Sequence, residues 1–437
     1  MRTTRLAALA AVLALGAAPA MQAQSSTNLT PDERALVKYI DDHTADALTL
    51  LEKAVNINSG TQNFAGVREV GKLFAQQFEG LGFKTRWVDG APFKRAGHLI
   101  AEHPGTGRHF LLIGHLDTVF EPDSPFQKFV RLSETQARGP GVIDMKGGDV
   151  IIVHALKALQ AAGALKSMHI TVVMTGDEEA SGDPQELARQ PLVDAAKGAD
   201  VAIGFEDGAG DPKTAVIGRR GTTAWQLTVK GTPAHSSQIF REDIGYGAVF
   251  EAARIVNAFR EQLAGEPHLT FNPALIVAGT QIQFDVVQAR GTAFGKDNVI
   301  PEHAIVSGDL RALSAEQFQN ARKRMEAIVR SSPLPHTSAE ITFDEGYPPL
   351  APTDGNMKLL ALYDQASRDV GAGSVTAVNP DRAGAADVSF VAGHVPMILD
   401  GVGLMGNGGH TVNETADLTT LPSQTKRAAL LLYRLSR

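Results

Sequence analysis

Residues 171–183 read TVVMTGDEEASGD. A β-branched, apolar run reaches Gly176 and then meets three carboxylates in succession, Asp177, Glu178 and Glu179. The run predicts a buried strand. Like charges this close repel one another, and each loses solvation as it nears a core. The segment therefore demands positive charge at that strand end.

Working outward, short apolar segments alternate with helical ones. FKTRWV, HLIAEH, HFLLIGHLD, HITVVMTG and DVAIGFED read as strands, while DVIIVHALKALQAAG and QELARQPLVDAAKG read as helices. Such alternation predicts an α/β fold around a mostly parallel sheet. Two helices precede it. One is opened by Thr30, Pro31 and Glu33 as a capping box, and the other is stopped at Gly82. After Gly210 the texture changes. AVIGRRGTTAWQLTVKG, LIVAGTQIQF and AIVSGDLRAL alternate like half-exposed antiparallel strands, and two amphipathic helices lie among them. From about Pro333 the first pattern resumes and runs to a closing helix, PSQTKRAALLLYRL. The expectation is one discontinuous catalytic domain, residues 24–215 and 333–437, with an α+β domain inserted at residues 216–332.

Composition narrows the function. The chain has 437 residues, of which 43% are hydrophobic and 20% charged, as in a globular protein with room for two domains. Its net charge is −7 and it has no basic block, which argues against a nucleic-acid partner. Residues 1–23 carry Arg2 and Arg5, then an apolar run, then small residues, the pattern of an export signal cut after Ala20 or Ala23. An uncleaved anchor is the alternative. A signal implies a periplasmic or secreted protein with no membrane attachment after cleavage. Cysteine is absent, so a metal site must use His, Asp and Glu.

Open α/β sheets deliver functional residues just past the carboxyl ends of their strands. Those ends carry His115 and Asp117 in GHLDTV, Glu178 and Glu179 in TGDEEASG, and Glu206 and Asp207 in IGFEDG. Asp144 sits in the glycine-rich GPGVIDMKGG, and His410 in the late glycine loop GGHTVNE. Imidazoles and carboxylates together suit zinc or a similar divalent ion, and a carboxylate can bridge two ions. Each residue alone has a plainer reading: a structural His–Asp pair, a helix N-terminus, a turn aspartate, a solvated loop histidine. Their conjunction at successive strand ends favours the metal.

These ordered motifs, spread from about residue 40 to the end, resemble the co-catalytic dizinc peptidase family that includes carboxypeptidase G, succinyl-diaminopimelate desuccinylase, carnosinase and the aminoacylases. The resemblance implies that His115 and Glu206 bind one Zn2+, Glu179 and His410 bind a second, and Asp144 bridges them, with Co2+ or Mn2+ as substitutes. It implies Glu178 as general base for a metal-activated water and Asp117 as the acid that orients the site. It makes the inserted domain a lid and a homodimerisation unit. There His235, in GTPAHSSQ, would stabilise the oxyanion across the dimer, Asn298 would bond the substrate, and Arg311 would grip a carboxylate. Gly384, supported by Asp387, would bring backbone close to that carboxylate.

One departure bears on the substrate. Glutamate-releasing members carry a further arginine where the chain re-enters the catalytic domain, and here the stretch is FDEGYPPLAP, with Tyr347. The expected activity is hydrolysis of an amide bond, in a small peptide or an N-acyl amino acid, next to a free carboxylate. Carboxypeptidase or dipeptidase action is the first reading and N-acyl amino acid deacylation the second. A non-catalytic periplasmic binding protein is a remote alternative, since it would need neither Glu178 nor five metal ligands.

Overall fold

The computed structural model describes residues 28–285 and 290–437; the expected export signal lies outside them. Three helices lead into the body: α1 (Pro31–Asp42), α2 (Thr44–Val55) and α3 (Phe64–Glu79). The Thr30 hydroxyl accepts from the Glu33 N–H at 3.3 Å, and the Glu33 carboxylate accepts from the Thr30 N–H at 2.7 Å, closing the capping box read from sequence. Helix α2 has no side-chain cap and went unread.

The body then builds β1 (Lys84–Asp89), β2 (Gly97–His103), β3 (His109–His115), α4 (Lys146–Ala161), β4 (His169–Thr175), α5 (Gln185–Ala196) and β5 (Val201–Gly204). The inserted unit follows with β6 (Gly221–Gly231), α6 (Gly247–Leu263), β7 (Thr270–Gly279), β8 (His303–Ala312), α7 (Ala315–Arg330) and β9 (Thr337–Phe343). The chain returns through α8 (Asp354–Asp369), β10 (Met397–Leu399) and α9 (Thr420–Leu435).

The body sheet has the order β1-β2-β4-β3-β5-β10. Strands β4, β3, β5 and β10 are parallel, while β1 and β2 add antiparallel pairings at one edge. Both faces are covered, which is why the parallel strands are continuous hydrophobic runs rather than alternating ones. Along β3, Phe110 and Leu112 enter the core shared with α3, α4 and α9, whereas Leu111 and Ile113 enter the core shared with α5 and the 387–391 turn. The two-residue period thus sends successive side chains to opposite layers.

The inserted unit is a separate antiparallel sheet, β7-β8-β6-β9, backed by α6 and α7 around Trp225, Ile255, Phe259 and Met325. Strand β9 extends this sheet beyond residue 332, by pairing Thr337–Phe343 with β6. Its residues alternate between partly and fully exposed, an edge-strand pattern too polar to stand out in the sequence. No helix of the described residues is long and apolar enough to cross a membrane.

Candidate active site

The parallel strands converge their carboxyl ends on one crevice. Strand β3 ends in His115, β4 leads into Asp177, Glu178 and Glu179, and β5 leads into Glu206. Asp144 comes from the loop before α4. His410 comes from the glycine loop before α9, where its φ is 62°.

Two clusters form there. His115 Nε2 lies 3.0 Å from Asp144 Oδ1 and 3.5 Å from Glu206 Oε1. His410 Nε2 lies 3.0 Å from Asp144 Oδ2 and 3.1 Å from Glu179 Oε2. Within each cluster the donor atoms lie within 4.8 Å of one another. Asp144 therefore offers one oxygen to each. Among the described residues no lysine or arginine pairs with Asp144, Glu179 or Glu206, so the imidazoles are their only ion-pair partners.

Charge crowding appears in the titration of every member. Against the cost of burial, Glu206, Asp117 and Asp144 push His115 well above its ordinary range. Hydrogen bonds to Asp144 and Glu179 push His410 up to about 11. Burial raises Glu178 well above the usual carboxylate range, opposed by His115 and reinforced by Asp387, Glu179 and Asp144. Burial likewise raises Glu206. Protons here occupy places that suit cations. Two imidazoles, two terminal carboxylates and a shared carboxylate form a hard-to-borderline donor set that fits two divalent ions.

The surrounding backbone fixes these groups. Asp117, fully buried, accepts from the Glu178 N–H at 3.0 Å, the Glu179 N–H at 3.2 Å and the Thr61 hydroxyl at 2.7 Å. It thus holds the peptide units of both glutamates and also stands beside His115 Nδ1, at 3.5 Å. The Glu178 carboxyl itself makes no hydrogen bond to another described residue.

Three supports escaped the sequence reading. Glu414, buried four residues beyond His410, accepts from the N–H groups of Gly141, Ile143 and Asp144 at 3.0, 2.9 and 3.2 Å and so shapes the Asp144 loop. Burial pushes its carboxyl up to about 8 despite those bonds. It closes the GGHTVNE motif, which was the available signal. Asp400 accepts from the Glu206 N–H at 3.4 Å and pairs with buried Arg219 at 2.7 Å. Arg189, also buried, pairs with Asp177 at 2.5 Å and Asp387 at 2.8 Å. Neither arginine carries a local signal. Arg189 supplies part of the positive charge that this strand end demands: Asp177 is neutralised by a guanidinium, while Glu178 and Glu179 face the crevice.

Among the described residues, the candidates on the inserted unit make no hydrogen bond or ion pair with these clusters. His235 is exposed, with Nδ1 2.8 Å from the Ser237 hydroxyl, and Asn298 is exposed. Arg311 pairs with Asp309 on its own strand at 2.8 Å. In the body, Gly384 has no atom within 4 Å of where a Cβ would stand, and its carbonyl accepts from Arg219 at 2.7 Å.

Residues 111–434 match the profile of peptidase family M20/M25/M40. The chain belongs to that family. It is 27% identical to carboxypeptidase G2 of Pseudomonas sp. (strain RS-16) over 410 residues, 92% of each chain. It is 25% identical to the succinyl-diaminopimelate desuccinylase of Magnetococcus marinus over 385 residues, 83% of this chain and 92% of that one. Among solved structures, aminopeptidase PepT of Bacillus cereus superposes with a TM-score of 0.72 at 17% identity, over 90% of this chain and 99% of that one. Human carnosine dipeptidase 1 superposes with a TM-score of 0.63 at 15% identity, over 93% and 99%. A dinuclear metal binding M20 peptidase of Bacillus subtilis gives 0.62 at 17% identity, over 91% and 99%. The chain is an M20 metallopeptidase or amidohydrolase, distantly related to carboxypeptidase G2, with a candidate metal site at His115, Asp144 and Glu206.

Proposed function

We propose that this M20 hydrolase holds two zinc ions and cleaves the amide bond next to a free carboxylate, as a carboxypeptidase or dipeptidase of small peptides. The observation that carries this reading is the division of Asp144, one oxygen at 3.0 Å from each of two histidines. His115 and Glu206 would complete one ion's ligands, Glu179 and His410 the other's. When bound, such a pair of ions polarises a carbonyl and lowers the pKa of a shared water toward neutrality.

The chain's own residues supply the rest. Glu178, whose carboxyl makes no hydrogen bond to another described residue, takes a proton from the attacking water and returns it to the leaving nitrogen. Asp117 keeps Glu178 and Glu179 in register through their N–H groups. Arg311 exchanges Asp309 for the substrate carboxylate, Asn298 bonds the substrate, and the open space at Gly384 admits it.

A second reading, N-acyl amino acid deacylation, is favoured by the desuccinylase relative and uses the same residues. The deciding experiment is hydrolysis by zinc-loaded protein of a panel of C-terminally free dipeptides and N-acyl amino acids, with N-blocked and C-amidated controls. Preference for dipeptides supports the first reading, and preference for acyl amino acids the second. Turnover of the C-amidated substrates at full rate defeats both. A Glu178→Ala chain that keeps its zinc and its full activity removes the assigned base.

Two further proposals accompany this one. The N-terminal signal makes the enzyme periplasmic or secreted, testable by fractionation and N-terminal sequencing of the mature chain. A homodimer forms through the inserted unit, where β7 is an edge strand of its sheet among the described residues, with Ile276 58% exposed. Beside it α6 leaves a groove of about 800 Å³, lined by Val256, Phe271 and Ile276. A second copy is the natural occupant, since it would pair the edge and carry the exposed His235 toward another crevice. A monomeric mass by light scattering would refute it.

A further inference from the structure

The inserted unit joins the body through two crossings, residues 216–221 and 344–350, and these run side by side. The Arg219 N–H donates to the Leu350 carbonyl at 2.8 Å, and the Leu350 N–H returns to the Arg219 carbonyl at 2.9 Å. The Thr222 N–H donates to the Tyr347 carbonyl at 3.0 Å. A Cβ on Gly346 would lie 2.0 Å from the Thr222 carbonyl oxygen, and one on Gly221 would lie 2.6 Å from that of Tyr347. Glycine is what permits this approach. A short double connection of this kind is where rotation between two rigid bodies is absorbed.

Each crossing sends a side chain to the main chain of the crevice. On the first, Arg219 pairs with Asp400, which accepts from the Glu206 N–H. On the second, the Tyr347 hydroxyl donates to the Glu178 carbonyl at 2.8 Å and accepts from Arg189 Nη2 at 2.8 Å. A single O–H satisfies both bonds, donating one and accepting the other. The same Arg189 nitrogen donates to the Asp177 carbonyl at 3.0 Å. The Tyr347 ring meets Phe390 edge-on at 4.9 Å, and the guanidinium lies over both rings at 5.6 and 5.4 Å. The hydroxyl is thus wedged between a buried cation and the peptide of Glu178.

We propose that Tyr347 is a positioning residue that couples the lid hinge to Glu178. The Glu178 carboxyl has no hydrogen bond to another described residue, so its place is set through its backbone: Asp117 holds the N–H and Tyr347 holds the C=O. When the hinge turns, the tyrosine moves with it and the peptide of the base follows. This rests on the reading of Glu178 as general base, and small misplacements of such a group are costly in rate.

The test is Tyr347→Phe, which removes one oxygen and keeps the ring packing. We expect kcat to fall on the order of tenfold, with KM and bound zinc unchanged and Tm lower by no more than a few degrees. In the Glu178→Asp background, where the carboxyl is already displaced, the same substitution should cost less than it does alone. Wild-type kcat, additive losses in that cycle, or a loss of zinc and Tm in step with kcat would each overturn the proposal. Glu178→Gln separates the two readings. An active Glu178→Gln overturns both, whereas an inactive one beside a wild-type Tyr347→Phe overturns the positioning role alone.

Discussion

The crevice of the body and the face of the inserted unit carry equally conspicuous motifs, yet the structure treats them differently. In the body, His115, Asp117, Asp144, Glu179 and Glu206 are buried or half-buried and lie within contact of one another. On the inserted unit, His235 and Asn298 are exposed and Arg311 is occupied by its own neighbour Asp309. Burying a charge is expensive unless a partner is in place, so a body that buries its acids must bring them together within one chain. Solvated side chains carry no such obligation. They can wait for a substrate, a lid movement or a second subunit to give them partners.

The strongest way to break this contrast is to remove the residue that joins the two clusters. Asp144→Asn keeps the shape but weakens an oxygen offered to both sites. The expected result is fewer than two zinc ions per chain by elemental analysis and a loss of several kcal/mol of transition-state stabilisation, about a thousandfold or more in kcat/KM. Two zinc ions and near-normal turnover would mean that the clusters are not a joint site.

Arg189 tests the buried side by stability rather than by rate. It is 2% exposed and faces two aspartates, Asp177 and Asp387. Asp387 also accepts from the Thr175 hydroxyl at 2.5 Å. Arg189→Met leaves both carboxylates buried without a cation, and the expected cost is about 3–5 kcal/mol in denaturant unfolding. The double variant with Asp177→Asn should recover part of that loss. A single variant as stable as the wild type would show that the acids relax to solvent.

On the exposed side, Arg311→Ala should leave stability within about 0.5 kcal/mol, as surface substitutions usually do. Under the proposed function its effect falls on the substrate. Losing a charge-assisted bond worth about 1.5–3 kcal/mol raises KM roughly 10- to 100-fold for a substrate with a free carboxylate. The C-amidated analogue should be unaffected. Equal losses on both substrates would remove Arg311 from carboxylate recognition.

Legibility in the sequence divides along the same line. The body's strands β3, β4 and β5 were readable because burial on both faces leaves unbroken apolar runs, and each run leads into a functional residue, whereas the three-residue β10 went unread. The inserted strands were readable from alternation, until β9, whose polar edge carried too little contrast. What pattern could not show was which charges pair at long range. Asp177 read only as one of three acids that demand positive charge, and its partner proved to be an arginine on α5, which the sequence showed simply as a helix. The Thr175–Asp387 bond spans 212 residues, and the Glu414 bond to Gly141 spans 273. No local period encodes such contacts. A motif acid shows itself by its neighbours in sequence, but its counterion is chosen by the fold.

The smallest expected effect concerns the metal-free chain. His410 is held protonated by Asp144 and Glu179 up to about 11, above its unfolded range near 6.5. Its contribution to stability is therefore full below about pH 6.5 and is lost progressively as pH rises toward about 11. Glu178 and Glu206 also have folded pKa values above their unfolded ones, so their ionisation is penalised in the folded state and favours unfolding as pH rises. Asp144 and Asp117 are shifted the other way, but their contribution fades only as pH falls through the acid range. The raised groups, His115 and Glu414 among them, thus act in one direction between about pH 5 and pH 9, opposed above about pH 7 by buried Lys146, whose pKa burial lowers to about 7: chelated protein should melt a few degrees lower at the alkaline end. Zinc-loaded protein should not, because a divalent ion replaces the protons that the carboxylates share with the imidazoles. Zinc binding should accordingly release protons, measurable by calorimetry in buffers of different ionisation enthalpy. A metal-free chain that gains stability over the same interval would show that the crevice acids are satisfied without a cation, and the contrast with the exposed lid residues would lose its physical basis.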